Sequence, residues 1–185
     1  MDFKIILQIN DESKNYIRKT TREDIINKQY FPECIDAKID MIIDGLHLYS
    51  LVSPEVKKEL KSWDQNLEKI PAFDYLDKLL RHVYEFIEKN RNEIEFTMTG
   101  TIFGIRLRQE EGKIKMDFIM RRWGTRIKDM YYPMGTITKN ELIRSLITCG
   151  NTFLNMYFRL NSTFQEDEST EKIRKYISLL SSKIA

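Results

Sequence analysis

The spacing of hydrophobic and polar positions changes several times along the chain, and each change marks an element. "FKIILQI" (3–9) reads as a strand, largely buried because Ile5, Ile6 and Leu7 run together. "NDESKN" behind it reads as a polar turn. "TTREDIINKQYF" (20–31) predicts a short helix, capped by Thr20 or Thr21 and ended by "FPE". "KIDMIIDGLHLYSLV" (38–52) holds two strand-type runs around Asp44-Gly45, a pair suited to the positive φ angles of a type I′ hairpin turn. Ser53 and Pro54 then open a predicted helix that places Val56, Leu60, Trp63, Leu67 and Ile70 on one face.

Pro71 breaks that pattern, and a second helix over 73–90 carries Phe73, Leu76, Leu79, Leu80, Val83, Phe86 and Ile87 at core spacing. His82 lies in its middle and reads as exposed or as capping a polar contact. "EIEFTMTGTIFGIRLRQ" (93–109) alternates with Ile94, Phe96, Met98 and Ile102 on one face, then slips by one residue to Ile105 and Leu107. That slip predicts a bulge at Gly104 or a bend at Gly100. "EEG" (110–112) makes a short hairpin loop, and the chain returns with Ile114, Met116, Phe118 and Met120 on one side. "RIKDMYY" (126–132) reads as one more strand. Thr138 and Glu141 have capping-box spacing and open a helix of about twenty residues, rich in Leu, Ile and Phe. A polar link, "NSTFQEDEST" (161–170), leads to a last amphipathic helix over 170–183 with Ile173, Tyr176, Ile177 and Leu180.

Tight hairpins imply antiparallel pairing, and regular βαβ alternation is missing. The expectation is an α+β fold: an antiparallel sheet of about five or six strands, with two central helices and two C-terminal helices packed against it. Residues 1–160 are expected to form a single domain, with 161–185 as polar link and C-terminal helix.

Composition sharpens this picture a little. The chain has 185 residues, 42% hydrophobic and 31% charged, which suits one folded domain. The first apolar stretch is interrupted by Lys4 and Gln8, and no apolar run approaches the ~18 residues of a membrane span. A cytoplasmic protein without a membrane partner is expected. Cys34 and Cys149 read as two reduced, partly buried thiols.

Catalytic chemistry is hard to find. Two His and two Cys, with no CxxC, HxH or HExxH spacing, give no basis for a metal site. Asp36, Asp40 and Asp44 share one face of a strand, which offers a carboxylate site for Mg²⁺ as the alternative to the preferred reading, a solvated outer face opposite Ile39 and Ile43. GxSxG, GxGxxG and GxxxxGK[ST] strings do not occur, so neither a nucleophile elbow nor a phosphate loop is indicated, and no cofactor is expected. His47, on a strand beside the Asp44-Gly45 turn, is the one candidate general base. An enzyme built around it is an alternative reading.

Charge is uneven. Residues 1–100 hold 15 Lys+Arg against 19 Asp+Glu, a net of −4; residues 101–185 hold 15 against 9, a net of +6. The basic excess collects on one hairpin. Arg106 and Arg108 share one strand face, as do Lys113, Lys115 and Arg121 on its neighbour. Arg122, Trp123, Arg126, Tyr131 and Tyr132 follow just past the end. Arg, Trp and Tyr are the types enriched at interface hot spots, and a positive patch steers an acidic partner, so these ten residues are the candidate partner-binding surface. A nucleic-acid interface on the same face, with Arg on phosphates and aromatics on bases, is the other alternative. A solvated sheet face, blunted by its charges against edge pairing, is the non-functional explanation.

The layout resembles small bacterial immunity proteins of polymorphic-toxin systems. The strand "FKIILQI", the hairpin "IDMIIDGLHLYSLV", the helix "SPEVKKELKSWDQNLEKI", the hairpin around "EEGKI" and the helix "TKNELIRSLITCGNTFLNMYF" carry that likeness. It implies a cytosolic single domain, non-enzymatic, that binds and neutralises a cognate toxin. It is a likeness of layout, and it carries no functional residue over.

Overall fold

The computed structural model describes residues 3–27, 29–48, 54, 69–97, 103–121 and 129–184. Those residues form an α+β fold with two antiparallel four-stranded sheets, where the patterning predicts one sheet of five or six strands. The first sheet contains β1 (Phe3–Ile9), β2 (Asp36–Ile43), β3 (Leu46–His47) and β4 (Ile70–Pro71). β1 runs antiparallel along β2, while β3 and β4 pair with opposite ends of β2. β1 is buried on one face only: Phe3, Ile5, Leu7 and Ile9 enter the core, and Ile6 is 46% exposed. The apolar run is therefore a one-faced strand that carries an outward isoleucine. Asp44 and Gly45 take φ of 49° and 82°, as the predicted type I′ turn requires.

"NDESKN" is not a turn. It opens α1 (Asp11–Lys19), where the Asn10 side chain accepts a hydrogen bond from the Ser13 N–H at 2.8 Å. Asp11 and Glu12 in the first turn and Arg18 and Lys19 in the last complement the helix dipole. With only Ser13 and Ile17 buried, the helix shows almost no apolar period to read. α2 (Arg22–Ile26) is shorter than the 20–31 expected, and Thr21 caps it in a reciprocal box with Asp24.

α3 (Ala72–Glu88) follows β4 and buries Phe73, Leu76, Leu79, Leu80, Val83 and Phe86 as predicted. Its C-terminus closes in a Schellman turn. Asn90 has φ of 43°, its N–H donates to the Ile87 carbonyl at 3.2 Å, and the Arg91 N–H donates to Phe86 at 3.0 Å. His82 is half-buried, stacked on Phe96 with ring centroids 4.8 Å apart, in place of the exposed or capping role expected. Burial, with Arg81 beside it, lowers the pKa of its imidazole.

The second sheet is a meander of β5 (Glu93–Thr97), β6 (Phe103–Glu110), β7 (Lys113–Met120) and β8 (Met130–Ile137). Residues 93–109 are thus two paired strands, with Glu93 opposite Arg108 and Thr97 opposite Gly104. The slip in phase marks the passage from one strand to the next. The bulge lies instead in β8: Gly135 pairs with Met116 and Pro133 with Asp117, leaving Met134 as the extra residue. β8 is an edge strand, the position in a sheet that tolerates a proline. A Cβ at Gly135 would lie 2.7 Å from Ile43 Cγ2, so the two sheets meet closely there.

α4 (Lys139–Leu160) starts at the predicted capping box: the Glu141 N–H donates to Thr138 Oγ1, and Glu141 accepts from the Thr138 N–H at 2.7 Å. It packs beside β1, and the Ser145 hydroxyl donates to the Phe3 carbonyl at 2.6 Å. The polar link contains a 3-10 turn, Ser162–Glu166, whose Phe164 is fully buried against Tyr30 and Tyr157. α5 (Glu168–Ser181) then packs on α3 and α4 through Ile173, Ile177 and Leu180. Gly150 on α4 gives Ile177 its seat, because a Cβ there would fall 2.7 Å from Ile177 Cδ1. One hydrophobic core joins both sheets and α5. Cys149 is buried and its thiol pKa is pushed up to about 12 by that burial; Cys34 is exposed, not partly buried as expected. The predicted helix from Ser53 to Ile70 falls almost wholly outside the described residues, and its expected last residue, Ile70, stands in β4 because it pairs with Ala37.

Candidate functional site on the second sheet

One face of the second sheet, formed by Ile94, Phe96, Phe103, Ile105, Leu107, Ile114, Met116, Phe118 and Met120, is buried in the core. The opposite face is polar, and the register lays it out in rows. Glu95, Arg106, Asp117 and Pro133 form one row; Thr97, Gly104, Ile119 and Tyr131 form the next. Arg108 stands opposite Lys115, and Lys113 opposite Glu110 at the hairpin end. The structure therefore brings Arg106, Arg108, Lys113, Lys115, Arg121 and Tyr131 to one face, as the alternation predicts. Tyr132 goes the other way. It pairs with Phe118, packs half-buried on the core with ring centroids 6.2 Å apart, and donates its hydroxyl to Met130 Sδ at 3.6 Å. Period two forbids adjacent tyrosines from sharing a face. Arg122, Trp123 and Arg126 lie outside the described residues.

The face is not simply basic. Asp117 is 1% exposed, and both neighbouring arginines converge on its Oδ2: Arg106 Nε at 2.9 Å, Arg106 Nη2 at 2.8 Å and Arg108 Nη2 at 3.0 Å. Arg108 also reaches Glu110 at 3.1 Å, and Lys115 stands 3.9 Å from the same carboxylate. Arg121 donates to Thr97 Oγ1 at 2.7 Å, to Asp129 at 2.7 Å and to Glu95. A buried carboxylate is tolerable only when charge and hydrogen bonds compensate it, and the paired guanidiniums do that for Asp117.

Tyr131 ties the rows together. Its ring lies under the Arg106 guanidinium at 4.0 Å, and its hydroxyl, on the far edge strand, donates to Glu95 Oε2 on β5 at 3.3 Å. Burial, then the negative charge of Glu95, holds that hydroxyl above its ordinary pKa. The tyrosine can cross two strands because Gly104 puts no side chain in its row, and Ile119 is fully buried in the same row. Gly104 also lets β5 approach, since a Cβ there would lie 2.7 Å from the Phe96 carbonyl oxygen. The residues that sequence reasoning missed are the acids and the glycine: Glu95, Asp117, Asp129 and Gly104. The signal was available in the two-residue turn at Glu111-Gly112. A type I′ turn there fixes Glu110 opposite Lys113, and counting back sets Arg106 opposite Asp117.

The first sheet offers a second, smaller cluster. His47 Nδ1 and Asp40 Oδ2 lie 2.6 Å apart on its outer face, and the buried Asp40 Oδ1 has no hydrogen-bond partner among the described residues. Asp36 is half-buried, and burial raises its carboxyl pKa while Lys69 partly offsets this. Asp44 sits in the hairpin turn. Among the described residues no group of three His, Cys, Asp or Glu is placed to hold a metal ion, and no helix is long and apolar enough to cross a membrane. Comparison with known proteins gives no match to a family model, to a curated protein or to a solved structure.

Proposed function

We propose that this chain is a non-enzymatic protein-binding module that uses the outer face of the second sheet, and that its partner is a toxin of the kind immunity proteins neutralise. The observation that carries the reading is the Arg106–Tyr131–Glu95 lattice. Tyr131 is 40% exposed, yet it is held by a guanidinium on its ring and a carboxylate on its hydroxyl. Tyrosine and arginine are the types that dominate interface energetics, and side chains already fixed lose little entropy on binding. The same ion pairing favours a protein over a nucleic acid. Arg106, Arg108 and Arg121 are committed to carboxylates, which a phosphate would have to displace.

A pull-down from the native host with tagged chain, followed by mass spectrometry and the 260/280 nm absorbance ratio, tests this. One stoichiometric protein that survives nuclease treatment is expected. Tyr131→Ala should weaken its binding by about 2 kcal/mol, roughly thirtyfold. Recovery of nucleic acid without a protein partner, or a Tyr131→Ala chain that binds as tightly as the parent, rejects the assignment. A second reading, an enzyme around His47, draws on the short Asp40–His47 contact, since a carboxylate that orients an imidazole is the usual support of a general base. Loss of any substrate turnover in His47→Ala would favour it.

A further inference from the structure

We infer that a groove at one end of the second sheet binds a carboxylate carried on a short apolar stem. The groove has a volume of about 130 Å³ and lies where three chain reversals meet. These are the Schellman end of α3 at Asn90, the Glu111-Gly112 turn between β6 and β7, and the first residue of α4, Lys139. Phe86 and Ile114, both almost fully buried, and the partly buried Ile87 make its apolar wall. Lys113 and Lys139 stand at its polar side.

The surrounding groups fit an anionic head on an apolar stem. Both lysines are exposed, and among the described residues no ion pair within 4.0 Å holds either ammonium group, although Lys113 lies near enough to Glu141 to help lower its carboxyl pKa. Glu141, the acid nearest in sequence to Lys139, is turned onto its own cap and accepts the Thr138 N–H and hydroxyl, both at 2.7 Å. The Gln109 side chain donates to Asn90 Oδ1 at 3.4 Å, which leaves the Asn90 amide N–H₂ as a further donor at the wall. Inorganic phosphate has nothing to place against Phe86 and Ile114, whereas an alkyl carboxylate matches both halves of the groove.

The carboxylate has two possible sources, the C-terminal residue of a protein or a free short-chain acid. Titration of the labelled full chain followed by amide NMR separates them. The probes are butyrate, its neutral isostere butyramide, inorganic phosphate, and a short peptide ending in leucine with either a free or an amidated C-terminus. Saturable shifts at Gly112, Lys113 and Ile114 with butyrate, and none with butyramide, are expected. Lys113→Gln and Lys139→Gln should each weaken binding about two- to fivefold, and the pair about four- to twenty-five-fold, in line with exposed ion pairs. Tighter binding of the free-carboxylate peptide than of butyrate assigns the site to a protein terminus, and the reverse order assigns it to a small acid. Absence of saturation, equal response to butyramide or phosphate, or an unchanged double variant overturns the inference.

Discussion

The two sheets solve the same problem in different ways. Each buries one face in the shared core and must do something with the other. On the first sheet's outer face Ile6 is exposed and His47 Nδ1 meets Asp40 Oδ2 at 2.6 Å, while Lys4 and Lys38 have partners of their own. The second laces its outer face from edge to edge, with Asp117 sunk between two arginines and Tyr131 reaching from β8 to Glu95 on β5. A polar face tied in this way behaves as a second, thin core, with a defined geometry and a cost for breaking it. That lacing is what the proposed recognition surface on the second sheet rests on.

The contrast can be broken most severely at Asp117. Asp117→Ala leaves two partly buried guanidiniums without their shared carboxylate and should cost about 2–4 kcal/mol, read as a drop in urea midpoint at unchanged slope. A loss no larger than that of an exposed pair would make the lattice ornamental. Gly104→Ala comes next, at about 1–3 kcal/mol, because its Cβ must push the Phe96 carbonyl of β5 aside. Its near-ultraviolet circular dichroism should also change if Tyr131 is displaced.

Thr138→Ala, where β8 hands over to α4, should cost about 1 kcal/mol. It also carries a pH signature. The Thr138 N–H and hydroxyl hold the Glu141 carboxylate below its usual range, so its folded pKa lies beneath the unfolded value. The stabilisation is fully present above the unfolded pKa and is lost as pH falls through the depressed one. The parent should therefore lose this increment in the acid range, and Thr138→Ala, which keeps the backbone N–H but not the hydroxyl, should lose a smaller one. The smallest effect belongs to the first sheet: His47→Ala should move stability by no more than about 0.5 kcal/mol, since the imidazole is half-exposed. A larger loss would show that the two faces are more alike than their ion pairing suggests.

What could be read in advance follows from which physical signal each element carries. The Asp44-Gly45 turn, the α3 core stripe and the Thr138 box are local, and all three stand as read. α1 was hidden because it is stabilised by caps and dipole complementarity while burying only Ser13 and Ile17. The split of 93–109 into two strands was hidden because a phase slip is the same in sequence whether it comes from a bulge or from a change of strand. In the candidate site, alternation alone placed Arg106, Arg108, Lys113, Lys115 and Arg121 together. Their neutralisation needed the register across three strand pairs, and the side of Tyr132 needed only the rule that placed Tyr131.

The position of α4 has one more consequence. Asn10 donates to the Asp36 carbonyl at 3.1 Å, and the register carries that bonding to the even residues of β1. The odd residues, Phe3 through Ile9, therefore turn their backbone groups away from β2, and Ser145 on α4 already occupies one of those carbonyls. α4 thus acts as a guard on a hydrophobic strand that would otherwise be a template for adding another chain. Variants that loosen α4 should be lost to self-association before they are lost to unfolding, and turbidity that rises with protein concentration would be the first sign of damage there.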